Sequence, residues 1–129
     1  MEPKFLSFTE VLEIHQDQLL RYGGDSGVRH IELLKSALGM PTATYGGQYL
    51  HNDIYEMAAA YLFHLVQNHP FVDGNKRVGL ATAILFLGLN NLRLVCEEDA
   101  IVGLVLDVAA GKRSKSEVAV FLERHTIRR

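Results

Sequence analysis

Asn68-His69-Pro70-Phe71-Val72-Asp73-Gly74-Asn75-Lys76-Arg77 runs directly into Val78-Gly79-Leu80-Ala81-Thr82-Ala83-Ile84-Leu85-Phe86-Leu87, and the reading of this junction decides the fold. The second stretch is apolar on nearly every side of a helix, so it reads as an element buried at the centre of its domain. Pro70 and Gly74 make the first stretch a turn. The start of a buried helix leaves backbone N–H groups without helical partners. It also carries a partial positive charge of roughly half an elementary unit. Gly74, having no Cβ, lets a ligand come close to the backbone there. Together these features make an anion site suited to phosphate. Lys76 and Arg77 in the same first turn oppose the helix dipole, and a bound polyphosphate would compensate them.

The flanking residues supply what phosphoryl chemistry needs. Asp73 is a hard oxygen ligand for Mg²⁺, which shares its ligands with phosphates. An imidazole titrates near neutrality, so His69 suits the removal of a proton from an attacking hydroxyl. Arg77 is fit to grip phosphate oxygens in pairs, and Lys76 adds a point charge against the transition state. The same residues also read as a plain helix-to-helix connection with Asp73 as the N-cap. There is no Walker loop and no dinucleotide fingerprint.

Outward from this junction the punctuation is that of short helices. Ser7 with Glu10 predicts a capping box opening a first helix that Gly23 and Gly24 stop. A second helix is expected near His30 to Leu38, ended by Gly39 and Pro41. Pro41 to His51 reads as a loop or short hairpin. Asn52 or Asp53 caps a third helix to about Gln67. Asn90 and Asn91 close the central one, and Leu92 to Val95 reads as a short extended piece. A fifth helix is expected over Glu98 to Ala110, closed by Gly111. Ser114 with Glu117 opens a last one carrying Val118, Phe121 and Leu122. The tail with Arg124, His125, Arg128 and Arg129 reads as cations at a helix C-terminus plus a solvated end. The expectation is an all-α chain of about six helices, with residues 1–129 forming a single domain.

Composition narrows the function classes. The chain has 129 residues, 48% apolar and 22% charged, which suits a globular fold with its own core. A formal net charge of −2 disfavours nucleic acid as the main partner. The single cysteine, Cys96, is followed by the acidic Glu97, Glu98 and Asp99 and reads as structural in a reducing compartment. The apolar runs are too short for a membrane span and no signal peptide is read, so the expected location is the cytoplasm.

His69-Pro70-Phe71-Val72-Asp73-Gly74-Asn75-Lys76-Arg77 resembles the signature of the Fic/Doc superfamily. Fic members carry HxFx(D/E)GNGRxxR, and the Doc, or death-on-curing, branch carries HxFx(D/N)(A/G)NKR. Lys76 and Leu80 stand where Fic members have a third small residue and a second arginine, and both departures match the Doc branch. The resemblance extends to His15, Tyr22-Gly23-Gly24, Gly27-Val28-Arg29, Leu33-Leu34, Ala37-Leu38 and Pro41 before the motif, and to Phe86-Leu87 with Leu89-Asn90 after it.

The resemblance implies the Fic fold, all helical, with Pro41 to His51 as a flap that docks an extended segment of the target protein. It implies His69 as the catalytic base, Phe71 as an anchor, Asp73 as the Mg²⁺ ligand, Gly74 and Asn75 as phosphate donors, and Arg77 as a phosphate grip, with Lys76 part of the same site. The lost second arginine goes with an inverted nucleotide, so ATP would give up its γ-phosphate as to a protein kinase. AMP transfer is the second reading. The Doc branch is associated with toxin–antitoxin modules and with phosphorylation of translation elongation factor Tu. Some members carry an inhibitory helix with (S/T)xxxE(G/N). Thr9 and Glu13 have the spacing, but Ile14 fills the last position, so restraint would come from a cognate antitoxin. A non-catalytic relative that only binds its antitoxin is the other alternative, against which intact His69, Asp73 and Arg77 stand. His15 reads as a hydrogen-bonded core residue, and His51 as a loop residue without an assigned purpose. His64 and His69 are wrongly spaced for two metal ligands on one helical face.

Overall fold

Four of the described helices begin where a side chain supplies an oxygen or nitrogen acceptor for their free amides. The computed structural model describes residues 2–129. Among the described residues there are six helices: α1 (Phe8–Tyr22), α2 (Ile31–Gly39), α3 (Ile54–Asn68), α4 (Asn75–Leu89), α5 (Glu98–Ala109) and α6 (Lys115–Arg124). Ser7 and Ser114 form complete capping boxes with Glu10 and Glu117. Asp53 caps α3, and the His30 side chain accepts from the Leu33 amide to open α2. The last turn of α2 takes in Gly39, one residue beyond the expected stop, and Met40 is the cap.

α3 is the buried axis. Met57 through Leu62 are all buried, so this helix meets protein on every side. α2, α4, α5 and α6 pack around it, and α1 lies against α4. α4 approaches α3 closely at Gly79, where a Cβ would lie 2.9 Å from the Val66 side chain and 3.3 Å from the Leu62 carbonyl oxygen. Val78, Ala83, Phe86 and Leu87 seal α4 into the core, but Ile84, Leu85 and Leu89 are exposed. The apolar circumference of α4 therefore has one face that the chain itself does not cover, where the sequence pattern predicts burial all round.

The described residues also form four short strands: β1 (Thr44–Tyr45), β2 (Gln48–Tyr49), β3 (Leu92–Leu94) and β4 (Thr126–Arg128). β1 and β2 pair antiparallel, Thr44 with Tyr49 and Tyr45 with Gln48, across Gly46 and Gly47 at φ 58 and 80. Positive φ at both turn positions is what a two-residue hairpin demands. The tail is mostly exposed, as expected of a solvated end, but it is also a paired strand: Thr126 to Arg128 pair with Leu94 to Leu92. An isolated extended piece leaves its amides and carbonyls without partners, and the returning tail satisfies them.

Candidate active site

His69 caps the C-terminus of α3 in the left-handed conformation, φ 49 and ψ 53. A residue other than glycine held there costs on the order of 1–3 kcal/mol, so its surroundings must hold it. The loop between α1 and α2 does much of the holding. The amides of Arg29 and His30 both donate to the Pro70 carbonyl at 2.7 and 3.0 Å, and the Val72 amide donates to the Gly27 carbonyl at 3.0 Å. Val28 and Phe71 form an antiparallel bridge between them. The Arg29 side chain adds bonds from Nε to the His69 carbonyl at 2.8 Å and from Nη2 to the Asn68 carbonyl at 3.2 Å.

Phe71 is buried beneath the turn, and the His15 ring stacks on it with centroids 3.8 Å apart. His15 Nε2 donates to the Asp73 carbonyl oxygen at 2.8 Å, which fixes the far side of the same turn. Asn75 is buried, with both halves of its amide used locally. Its Oδ1 accepts from the Phe71 amide at 2.9 Å, and its Nδ2 donates to the Phe71 carbonyl at 3.0 Å. The side chain expected as a phosphate donor is thus engaged within the turn.

α4 opens at Gly74, φ 80 and ψ 15, with no side chain capping it. Asp73, the alternative cap read from sequence, faces elsewhere. Its Oδ1 accepts from the Gly74 amide at 2.8 Å and its Oδ2 from the Asp25 amide at 3.3 Å. These bonds, first Asp25 and then Gly74, with the nearby Arg77 charge assisting, hold its exposed carboxyl below the ordinary carboxylate range. Gly24 makes room for the carboxylate, since a Cβ there would lie 2.9 Å from Asp73 Oδ2. The Arg77 guanidinium sits 5.1 Å above the Tyr22 ring, a cation–π contact. His69, Asp73, Gly74, Asn75, Lys76 and Arg77 line one cavity of about 230 Å³. That volume is smaller than a usual ligand pocket and suits phosphate groups rather than a whole nucleotide. A larger depression, about 680 Å³, lies apart from these residues, over the open face of α4 between Ile14 on α1 and Leu92 on β3.

The Fic/DOC family model matches residues 5–87, a span that takes in this whole turn. The chain belongs to the Fic/DOC family. It is 31% identical over 121 residues, 94% of each chain, to the protein named "Protein kinase doc" of Escherichia phage P1. It is 39% identical over 80 residues to "Toxin Doc" of Mycolicibacterium smegmatis, a match spanning 62% of either chain and so under two thirds of that protein. Both carry Doc names, and the chain falls on the Doc branch of the family.

Among the described residues no cluster of three or more His, Cys, Asp and Glu side chains is placed to hold a metal ion. Asp73 is a single carboxylate, ionised and exposed, beside an anion-attracting helix start. This fits Mg²⁺, which binds through one or two carboxylates together with substrate phosphates rather than in an all-protein cage. Within the Fic/DOC motif the sequence marked the contiguous residues. The supporting residues His15, Tyr22, Gly24, Asp25 and Arg29 lie far from the motif in sequence. Most of them lie in segments that resemble the family, but nothing in the sequence said what they touch.

Proposed function

We propose that the protein is a Doc-type toxin of a toxin–antitoxin pair that moves the γ-phosphate of ATP onto a hydroxyl of a target protein. The observation that carries this is the cavity in which the His69 turn meets the uncapped start of α4. The names of the two relatives support it, one being called a toxin and the other a protein kinase.

In this reading the polyphosphate lies against the backbone amides that open α4, where the helix dipole favours it. Arg77, steadied over Tyr22, grips phosphate oxygens, and Lys76 adds charge against the negative transition state. Asp73 is the residue that would hold Mg²⁺, which when bound neutralises phosphate charge. His69 takes the proton of the acceptor hydroxyl as its oxygen bonds to the γ-phosphorus. The bond from that phosphorus to the bridging oxygen breaks, and ADP leaves. Lys76 and Leu80, in place of the small residue and second arginine of Fic members, favour the γ-phosphate over AMP as the group moved.

The target would pair with the hairpin in the flap, Pro41 to His51, whose short strands have no other strand neighbour among the described residues and whose Tyr45 is exposed. A component of the translation machinery such as elongation factor Tu is the implied target, and the cytoplasm the implied location; no described helix is long and apolar enough to cross a membrane. The antitoxin would lay an amphipathic helix over the open face of α4, on Ile14, Ile84, Leu85 and Leu89, with Glu13 and Asp17 and then Arg93 and Arg129 along the rims.

Incubation with Mg²⁺, a bacterial extract and ATP labelled at the γ- or the α-phosphate tests the function. Label reaching a protein from γ is expected. Label from α means AMP transfer, and label from neither means a binding protein. His69→Ala is expected to abolish transfer with its fold intact, because the exposed imidazole carries none of the core.

A further inference from the structure

The left-handed backbone of His69 needs a restraint, and the Arg29 guanidinium is placed to provide it. Its two bonds go to the carbonyl oxygens of Asn68 and His69. Those carbonyls belong to the peptide planes on either side of the His69 Cα, and the angle between these planes is the φ 49, ψ 53 pair. A guanidinium is planar and offers its donors in a fixed fork, so bonding both carbonyls at once sets the two planes relative to each other. The base of the fork is itself anchored, because the Arg29 and His30 amides both donate to the Pro70 carbonyl one residue further on. The charge also lies at the C-terminus of α3, where the helix dipole favours a cation. Among the described residues no carboxylate forms an ion pair with Arg29, so its fork serves main-chain oxygens.

We infer that Arg29 is a positioning residue: its fork holds the peptide planes flanking His69 and thereby aims the imidazole at the cavity over the start of α4. The inference rests on His69 being the base of the proposed transfer. Arg29 does not line the cavity, so it touches neither phosphate nor acceptor there. Its loss therefore acts on the rate of proton removal and leaves nucleotide affinity in place.

The test compares Arg29→Ala, Arg29→Lys and His69→Ala with the wild type, using extract as acceptor and whichever labelled phosphate the wild type transfers. Arg29→Ala is expected to lower the rate at saturating ATP by about 10- to 100-fold, the scale of a misaimed reacting group. Its apparent KM for ATP should stay within about threefold, since uniform binding is untouched. The His69 Cα and Cβ chemical shifts should leave their left-handed values, and added methylguanidinium should restore part of the rate. A single ammonium cannot span both carbonyls, so Arg29→Lys should recover only part. An Arg29→Ala rate within about twofold of wild type, with His69→Ala inactive, overturns the inference and leaves the base standing. So does a loss of rate that comes with an equal loss of ATP affinity or of circular dichroism in both Arg29 variants, since that marks a general structural role. A fully active His69→Ala removes the base itself, and this inference with it.

Discussion

Asn75 closes the motif turn onto α4 through two hydrogen bonds to the backbone of Phe71, and both are buried. Asn75→Ala would strand the Phe71 N–H and C=O in the interior. A buried unpaired group costs about 1–3 kcal/mol, so the expected loss is a few kcal/mol in denaturant unfolding, together with impaired transfer. Tyr61 is a second residue of this kind. Its hydroxyl accepts from the Leu6 amide at 3.0 Å and donates to the Leu6 carbonyl at 3.3 Å, and burial pushes its pKa up to about 12. Tyr61→Phe should cost about 1–3 kcal/mol with activity retained, since it lies outside the cavity at the start of α4. The order of groups from His69 to Arg77 was legible because they are contiguous. That the Asn75 side chain clamps the turn was not legible, because an asparagine side chain serves many purposes until its neighbours in space are known.

At the scale of elements, local chemistry carried far. Ser7 with Glu10 and Ser114 with Glu117 mark helix starts that depend only on residues three apart, and both capping boxes are present. The pairing of Leu92 to Leu94 with Thr126 to Arg128 joins distant segments, and no pattern within the tail announced it. The open face of α4 was hidden for another reason: an all-round apolar helix does not say which of its faces lacks a neighbour within the chain. The α3–α4 crossing at Gly79 supplies an element-scale prediction. Gly79→Ala would press a Cβ to 2.9 Å from Val66 and 3.3 Å from a backbone oxygen. Overpacking of this kind costs about 1–3 kcal/mol, which thermal unfolding would register as a lowered melting temperature. On the open face, Leu85→Glu should leave that temperature nearly unchanged while abolishing capture of the proposed antitoxin, if it docks there as proposed, as measured by co-purification from the co-expressed pair.

At the scale of the whole molecule, stability should fall on mild acidification. His64 is held down to about 4 from an ordinary 6.5 by burial first, then by the charges of Lys115 and His51. His51, buried at the end of the flap with Nδ1 unpartnered, is lowered as well, again by burial before Lys115. The unfolded chain therefore takes up these protons first as pH falls. The stabilisation is complete above about pH 6.5 and is lost progressively toward pH 4. The lowered carboxyls of Glu10, Asp73 and Glu117 act only further down, from about 4.5 for Glu and 3.8 for Asp. A falling melting temperature between neutral pH and about pH 5 is expected, with a shallower fall in His64→Gln, which keeps an acceptor for Lys115 at Nζ. An unchanged fall in that variant would assign the effect to other groups. In the proposed function, polyphosphate docks on the amides opening α4. Backbone NMR during titration with Mg²⁺ and ATP measures this directly: the largest shifts are expected at Gly74, Asn75, Lys76 and Arg77, whereas shifts confined to the groove beside Ile84 and Leu85, or none, would contradict it.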